Sequence, residues 1–122
     1  MLIVEDDYLV AAQMEQALKE AGFDIAGVVV TAEEAIEVAV AERVSLVIMD
    51  IRLAGSRDGV EAAIELFSRH GIRSIFATAH GDAETRKRAE MAQPLDWLQK
   101  PYSMISLIES VRKSLITLNK KN

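Results

Sequence analysis

Residues 45–50 read Ser-Leu-Val-Ile-Met-Asp, four consecutive apolar side chains followed by a carboxylate. A strand that is covered on one face alternates apolar and polar residues, whereas this run is apolar at every position from Leu46 to Met49. Such a run is typical of a strand that is buried on both faces of a parallel sheet. The segment therefore predicts a buried strand of an α/β fold, with Asp50 at its carboxyl end.

Short apolar runs alternate with segments of helical periodicity along the rest of the chain. The predicted strands cover residues 2–4, 25–30, 45–49, 74–78 and 95–98. Apolar spacing predicts helices at residues 10–21, 32–39, 60–67 and 104–118, and composition predicts another at 82–91. Gly22 is expected to end the first helix, while Thr31 and Ser103 are expected to cap helix N-termini. Five strands alternating with five helices predict a doubly wound parallel sheet with helices on both faces.

Composition narrows the class of protein. The chain has 122 residues, half of them hydrophobic, and we expect residues 1–122 to form one globular domain. It contains no cysteine, which excludes disulfides and thiolate metal sites. The net charge of −5 argues against direct binding of nucleic acid. No segment approaches the roughly 20 apolar residues of a membrane span. Residues 1–7 do not resemble a signal peptide. We therefore expect a cytoplasmic protein without membrane contact.

Polar side chains stand where the predicted strands end. They are Glu5, Asp6 and Asp7 after the first strand, Asp50 after the third, Thr78 at the end of the fourth, and Lys100 with Pro101 after the fifth. Open α/β sheets place their sites at the carboxyl ends of the strands. We therefore expect acids, a hydroxyl and an ammonium group to meet at one edge of the sheet.

The chemistry of such a cluster is restricted. Carboxylates that pack together repel one another, so one of them holds a proton or a cation lies among them. Oxygen-only ligands favour a hard cation, and Mg²⁺ binds one or two carboxylates together with waters and phosphate oxygens. A carboxylate beside that ion can attack a phosphoryl group and form an acyl phosphate. A nearby lysine and a threonine hydroxyl can then stabilise the phosphoryl oxygens.

Four short motifs occur in the order and at the spacing of one family. They are Val4-Glu5-Asp6-Asp7, Met49-Asp50-Ile51-Arg52-Leu53, Ala77-Thr78-Ala79 and Lys100-Pro101. Each motif alone is weakly specific, but together they make essentially the whole chain resemble the response regulator receiver domains of two-component signalling, of the chemotaxis type. The resemblance implies a flavodoxin-like sheet with five strands in the order 2-1-3-4-5.

The resemblance also implies roles for individual residues. Asp50 would be the phosphoacceptor, Thr78 the switch hydroxyl and Lys100 the phosphate-binding lysine. The implied Mg²⁺ ligands are Asp6, Asp50, Glu5 through a water molecule, and the backbone carbonyl of Arg52.

Two further features of the family are implied near the end of the predicted sheet. Trp97 stands three residues before Lys100, where the family usually has an aromatic residue that rotates on activation. The Lys100–Pro101 peptide bond would be cis, which costs much less before proline than elsewhere.

The chain departs from the family pattern in the segment after Asp50. Ala54 stands where the family usually has a proline, and Asp58-Gly59 arrives one residue later than usual. We therefore expect the loop at residues 53–57 to be longer than in the family. The side chain of Arg52 is expected to be free to face a partner or a phosphate, since only its carbonyl would bind the metal.

Some of these residues have simpler interpretations. Asp7 is expected to be only a helix cap or a surface residue, and Trp97 alone would indicate a partly buried anchor. His70 and His80 are expected to be solvated. The charged run at residues 86–88 is expected to be a solvated face that could meet a partner.

Three other functions share part of this pattern. A flavodoxin-like FMN carrier would share the fold, but Glu5-Asp6-Asp7 would repel its phosphate. An aspartyl phosphohydrolase of the haloacid dehalogenase type would have a second Asp at the position of Arg52. A pseudo-receiver that serves only for docking would not need the intact acids, Thr78 and Lys100.

The resulting hypothesis is a phosphorylation switch and not a classical enzyme. Asp50 would receive a phosphoryl group, with Mg²⁺, from the phosphohistidine of a sensor histidine kinase or a histidine phosphotransferase. Thr78 and Trp97 would then change a surface that binds a downstream protein target or an output domain, and a homodimer is possible.

Overall fold

Five short strands and five helices alternate along the chain in the computed structural model, which describes residues 1–53, 55–79 and 81–120. The strands are β1 (Leu2–Val4), β2 (Gly27–Val29), β3 (Leu46–Asp50), β4 (Arg73–Thr78) and β5 (Asp96–Gln99). The helices are α1 (Tyr8–Glu20), α2 (Ala32–Ala41), α3 (Gly59–His70), α4 (Ala83–Ala89) and α5 (Met104–Asn119), and a 3₁₀ turn (Glu90–Ala92) follows α4. Ala54 and His80, which entered the sequence analysis, lie outside the described residues.

The strands form one parallel sheet in the order β2-β1-β3-β4-β5. This confirms the predicted fold class and strand order. Ile48 of β3 pairs with Ile3 of β1 on one side and with Ile75 of β4 on the other, so β3 is the central strand. The carboxyl ends of β1, β3 and β4 consequently lie side by side.

The central strand is buried along its whole length, as its unbroken apolar sequence predicts. Ile48 belongs to a core cluster with Met14 of α1 and Leu107 of α5. Its neighbour Met49 belongs to a second cluster that includes Leu66 of α3. Successive side chains of a strand point to opposite faces, so the two clusters form the two sides of the sheet. Both faces of the sheet are therefore covered by helices.

The bounds of most elements differ from the sequence predictions by one to three residues. Helix α1 begins two residues early, at Tyr8, because the Asp7 carboxylate accepts hydrogen bonds from the N–H groups of Leu9 and Val10 and caps it. Strand β2 covers only residues 27–29, so the predicted strand at 25–30 was too long. Helix α4 ends at Ala89 because the chain tightens there into the 3₁₀ turn.

Helix α5 is amphipathic and begins at the predicted cap. The Ser103 hydroxyl accepts a hydrogen bond from the N–H of Ser106, and Leu107 and Val111 are buried against the sheet. Ile105 and Ile116 lie on its exposed side. Among the residues that the structure describes, no helix combines the length and the apolar content that crossing a membrane requires.

Asp96, at the start of β5, links that strand to α5. Its carboxylate accepts hydrogen bonds from Ser110 Oγ at 2.7 Å and from the backbone N–H of Trp97 at 2.9 Å, and Lys113 Nζ lies 3.2 Å away. Burial alone would raise the pKa of Asp96. The hydrogen bonds and the charge of Lys113 outweigh burial and hold that pKa below its ordinary value.

We expect Asp96→Asn to lower the free energy of unfolding at neutral pH by about 1 kcal/mol, because charge-assisted hydrogen bonds are lost next to a largely exposed Lys113. The pKa is lowered in the folded state, so the stabilisation by charge is complete above the unfolded-state pKa of about 4. It is lost as the pH falls through the folded-state pKa. Urea unfolding of both proteins at neutral and acidic pH checks this. A stability difference that does not shrink in acid would contradict it.

Candidate functional site

Three carboxylates converge at the carboxyl edge of the sheet. Glu5 and Asp6 directly follow β1, and Asp50 is the last residue of β3, the neighbouring strand. One carboxylate oxygen from each residue lies within 4.8 Å of the other two. The two strands thus bring together the acids that the sequence placed at this edge.

Burial differs sharply among these acids. Glu5 is 2% exposed and Asp50 is 5% exposed, whereas Asp6 is exposed. Burial and the negative charge of Asp50 raise the pKa of Glu5 above its ordinary value. The crowding therefore favours either a proton on Glu5 or a cation beside the cluster.

Lys100 supplies a cation to the cluster. Its Nζ lies 3.3 Å from Glu5 Oε1 and 3.2 Å from Asp50 Oδ2. Burial alone would lower the pKa of Lys100, but the charges of Asp50 and Glu5 outweigh burial and raise it. Lys100 consequently remains an ammonium ion that links the ends of β1, β3 and β5. The Lys100–Pro101 peptide bond that follows is cis.

Backbone groups hold the two buried carboxylates. Asp50 Oδ1 accepts a hydrogen bond from the N–H of Arg52 at 3.3 Å, and Glu5 Oε2 accepts one from the N–H of Asp7 at 3.2 Å. Because Lys100 pairs with the other oxygen of each carboxylate, both side chains are fixed from two sides. The site is therefore largely organised by the protein itself.

Gly59 is needed close to Asp50. A Cβ atom built on Gly59 would lie only 2.0 Å from the backbone oxygen of Asp50 and 2.9 Å from Met49 Cγ. The N–H of Gly59 also donates a hydrogen bond to the carbonyl of Ile51 at 2.8 Å. The position of Gly59 can be read from the sequence, but this close approach cannot, because it arises only when α3 packs against β3.

An open cleft of about 260 Å³ lies above the cluster. Its walls carry Asp6, Asp50, Arg52, Thr78 and Lys100, all of which were predicted as site residues. They also carry Asp82 and Thr85 of the α4 N-terminus, which the sequence analysis did not assign to the site. Thr85 donates its backbone N–H to the Asp82 carboxylate, so sequence spacing could indicate this cap but not its position beside the cleft.

Tyr102 is a second residue near the acid cluster that the sequence motifs do not indicate. Burial, together with the negative charges of Glu5 and Asp50, raises the pKa of Tyr102 to about 12. Its hydroxyl lies 3.5 Å from Met14 Sδ, to which it donates. Tyr102 is therefore a neutral phenol near the acid cluster.

The donor set fits Mg²⁺. The cluster offers carboxylate oxygens of Glu5, Asp6 and Asp50 within reach of one another, and Arg52, whose carbonyl was predicted as a ligand, lines the same cleft. Hard oxygen donors that leave room for waters are the environment in which this ion is bound. The exposure of Asp6 leaves the outer side of the cluster open to solvent.

We expect Asp6→Asn to weaken Mg²⁺ binding by at least about tenfold, because affinity depends strongly on the number of charged ligands. Calorimetric titration, or the change of Trp97 fluorescence on adding Mg²⁺, measures this affinity. Asp7→Asn is the matched control, because Asp7 caps α1 and asparagine caps a helix equally well. Unchanged affinity in Asp6→Asn would remove Asp6 from the metal site.

The predicted switch residues lie on adjacent strands. Thr78 is buried at the end of β4 and faces the cleft. Trp97 is half-buried on β5, and its ring centroid lies 4.9 Å from that of Phe76. Thr78 and Trp97 therefore occupy neighbouring strands, but only Thr78 lines the cleft.

The basic run at residues 86–88 is exposed, as expected, but two of its side chains have partners within the domain. Arg88 forms an ion pair with Asp58, the N-cap of α3, and Arg86 lies over the Trp97 ring. Lys87 is exposed. Two of the three cations are therefore engaged by other elements of the domain.

Comparisons with known proteins agree on one family. The sequence model described as response regulator receiver domain matches residues 1–112. The chain is 33% identical over 111 residues to the transcriptional regulatory protein PdtaR of Mycobacterium tuberculosis, covering 91% of this chain and 54% of that protein. It is 28% identical over 116 residues to the phyllosphere-induced regulator PhyR of Methylorubrum extorquens, covering 94% of this chain and 43% of that protein. The chain thus spans about half the length of the curated relatives it matches.

A solved structure gives the same result. The signal receiver domain of a modulated diguanylate cyclase from Desulfovibrio desulfuricans G20 superimposes with a TM-score of 0.90 at 35% identity. The match covers 99% of this chain and 96% of that one. The fold and the sequence motifs are therefore similar to the same group of proteins.

Proposed function

Because the chain belongs to the response regulator receiver family, we propose that Asp50 accepts a phosphoryl group and that residues 1–122 act as a receiver domain that switches on this modification. The observation that carries the proposal is the arrangement around Asp50. A buried carboxylate faces an open cleft, with an ammonium group 3.2 Å from one of its oxygens and two more carboxylates beside it. This is the environment that phosphoryl transfer to a carboxylate requires.

Several side chains of the protein take part in the phosphoryl transfer. An oxygen of Asp50 attacks the phosphorus of a phosphohistidine, the phosphorus–nitrogen bond breaks, and the imidazole leaves. Lys100, already at the carboxylate, lies where it can pair with the phosphoryl oxygens, and the Thr78 hydroxyl can hydrogen-bond one of them. Mg²⁺ held by Glu5, Asp6, Asp50 and the Arg52 carbonyl would neutralise negative charge on the transferring group.

The donor class follows from the chemistry of the acceptor. A sensor histidine kinase or a histidine phosphotransferase would present the phosphohistidine, and a downstream protein or an output domain would read the modified state. The domain would catalyse only its own modification and slow dephosphorylation. Family membership also favours this function over an FMN carrier or an aspartyl phosphohydrolase.

Incubation with acetyl phosphate and Mg²⁺ tests the proposal. Intact-mass analysis should show one added phosphoryl group of about 80 Da that is labile in alkali, as acyl phosphates are. Removal of Mg²⁺ with EDTA should prevent the adduct. If neither acetyl phosphate nor a phosphoramidate donor produces it, the chain is a docking module and not a phosphorylation switch.

A further inference from the structure

Arg86 of α4 makes two contacts outside its own helix. Its guanidinium carbon lies 4.6 Å from the centroid of the Trp97 ring, and its Nε donates a hydrogen bond to the Gly81 carbonyl at 3.2 Å. A cation at this distance from an indole ring is attracted by the electrons of the ring. The side chain therefore connects the loop before α4 with the aromatic residue of β5.

Gly81 brings this contact close to Thr78. A Cβ atom built on Gly81 would lie 3.4 Å from an Arg86 guanidinium nitrogen and 3.5 Å from Thr78 Cγ2. The space beside the Gly81 Cα is therefore bordered by both the Arg86 head group and the Thr78 side chain. A movement of Thr78 that displaces Gly81 would move the carbonyl that orients Arg86.

Trp97 has a fixed partner and an adjustable one. Phe76 is completely buried in the core of the sheet, so its ring offers an immobile surface to the indole. Arg86 is exposed, and its guanidinium group lies at the end of a long flexible side chain. Of these two partners, Arg86 is the one whose contact can be broken at low cost.

We propose that Arg86 is a positioning residue that holds Trp97 in the place seen here and ties it to Gly81, which lies close to Thr78. The inference rests on the proposed phosphorylation of Asp50. When Thr78 is drawn toward a phosphoryl group, the Gly81 carbonyl shifts, Arg86 loses its orientation, and Trp97 is released. Linkage is reciprocal, so weakening the Arg86 contact must also favour phosphorylation.

The expected effect is moderate and measurable. A cation–π contact at a partly exposed site changes an equilibrium constant by about two- to fivefold. Arg86→Met keeps a long apolar side chain over the ring but removes the cation. At an acetyl phosphate concentration that does not saturate the protein, this variant should have a ratio of phosphorylated to free protein about two- to fivefold higher than that of the wild type.

Three variants make the experiment specific. Lys87→Met has the same change in net charge on the same helix, and the Lys87 side chain makes no hydrogen bond, ion pair or ring contact within the described part of the chain. Its phosphorylation ratio should match that of the wild type. Arg86→Lys keeps the charge without the planar group and should lie between wild type and Arg86→Met. Equal ratios in Arg86→Met and Lys87→Met would overturn the inference.

A second measurement separates this inference from the proposed function. Trp97 is the only tryptophan of the chain, so acrylamide quenching of its fluorescence in the unphosphorylated protein reports on it alone. Quenching should increase in Arg86→Met and not in Lys87→Met. If the wild-type protein accepts no phosphoryl group, the proposed function fails and with it the coupling. In that case the acrylamide quenching of Trp97 alone tests whether Arg86 holds the indole ring. Equal quenching in the wild type and in all variants would reject this contact as a restraint on Trp97.

Discussion

Asp50→Ala should accept no phosphoryl group from acetyl phosphate, while the wild-type protein gains one. Asp50 is the only one of the three clustered acids that combines burial at the end of the central strand with exposure of its carboxylate to the cleft. Asp6 is solvent-exposed, and Glu5 does not line the cleft. Intact-mass analysis measures the loss, and Asp24→Ala, an exposed acid far along the chain from the cluster, should retain the adduct.

A second prediction for the same site concerns Lys100. Lys100→Ala should still bind Mg²⁺, because the carboxylates remain, but it should slow transfer by about 100- to 1,000-fold, as the loss of one charge-stabilising donor does. The rate of appearance of the adduct gives this number. Adduct formation in Asp50→Ala at the wild-type rate would show that another residue is the acceptor.

Gly59→Ala should destabilise the fold by about 3 kcal/mol or more and disrupt the site together with it. The φ angle of Gly59 is not positive, so the reason is the close approach of its backbone and not the conformation. The added Cβ would lie 2.0 Å from the Asp50 carbonyl oxygen, and a backbone atom of the central strand cannot rotate away as a side chain can. Either α3 separates from β3 or Asp50 moves.

Gly27→Ala is the matched control for this prediction. A Cβ on Gly27 would meet only Leu2 Cδ1 at 4.0 Å, an ordinary contact, so this variant should keep wild-type stability. Urea unfolding measures both variants, and Mg²⁺ titration of Gly59→Ala under native conditions reports on the site. Wild-type stability and Mg²⁺ affinity in Gly59→Ala would show that the helix relaxes without disturbing Asp50.

The sheet and the edge that carries the site could be predicted because both follow from local sequence. The apolar run of β3 is stable only in a strand that is buried on both faces of the sheet. Parallel strands bring their carboxyl ends together at one edge. The separate roles of the three acids in Glu5-Asp6-Asp7 could be predicted only in part. These acids are chemically alike, yet one is buried against Lys100, one is exposed, and one caps α1. That difference arises when β1 pairs with β3.

The contacts of α4 could not be predicted from the run at residues 86–88. The partner of Arg88 is Asp58, 30 residues earlier, and the ring beneath Arg86 belongs to a strand that follows. A run of charges within a short helix carries no signal of which members contact other elements of the domain. Only the packing of α4 against α3 and β5 distinguishes them.

The shortness of the outer strands affects how copies of the domain can associate. Strand β2 has three residues and β5 has four, and each forms one border of the sheet. A border that short presents few unpaired N–H and C=O groups, so it is a poor template for strand addition by a second chain. Copies of this chain therefore gain little from joining their sheets edge to edge. An assembly in solution would therefore depend mainly on contacts between side chains.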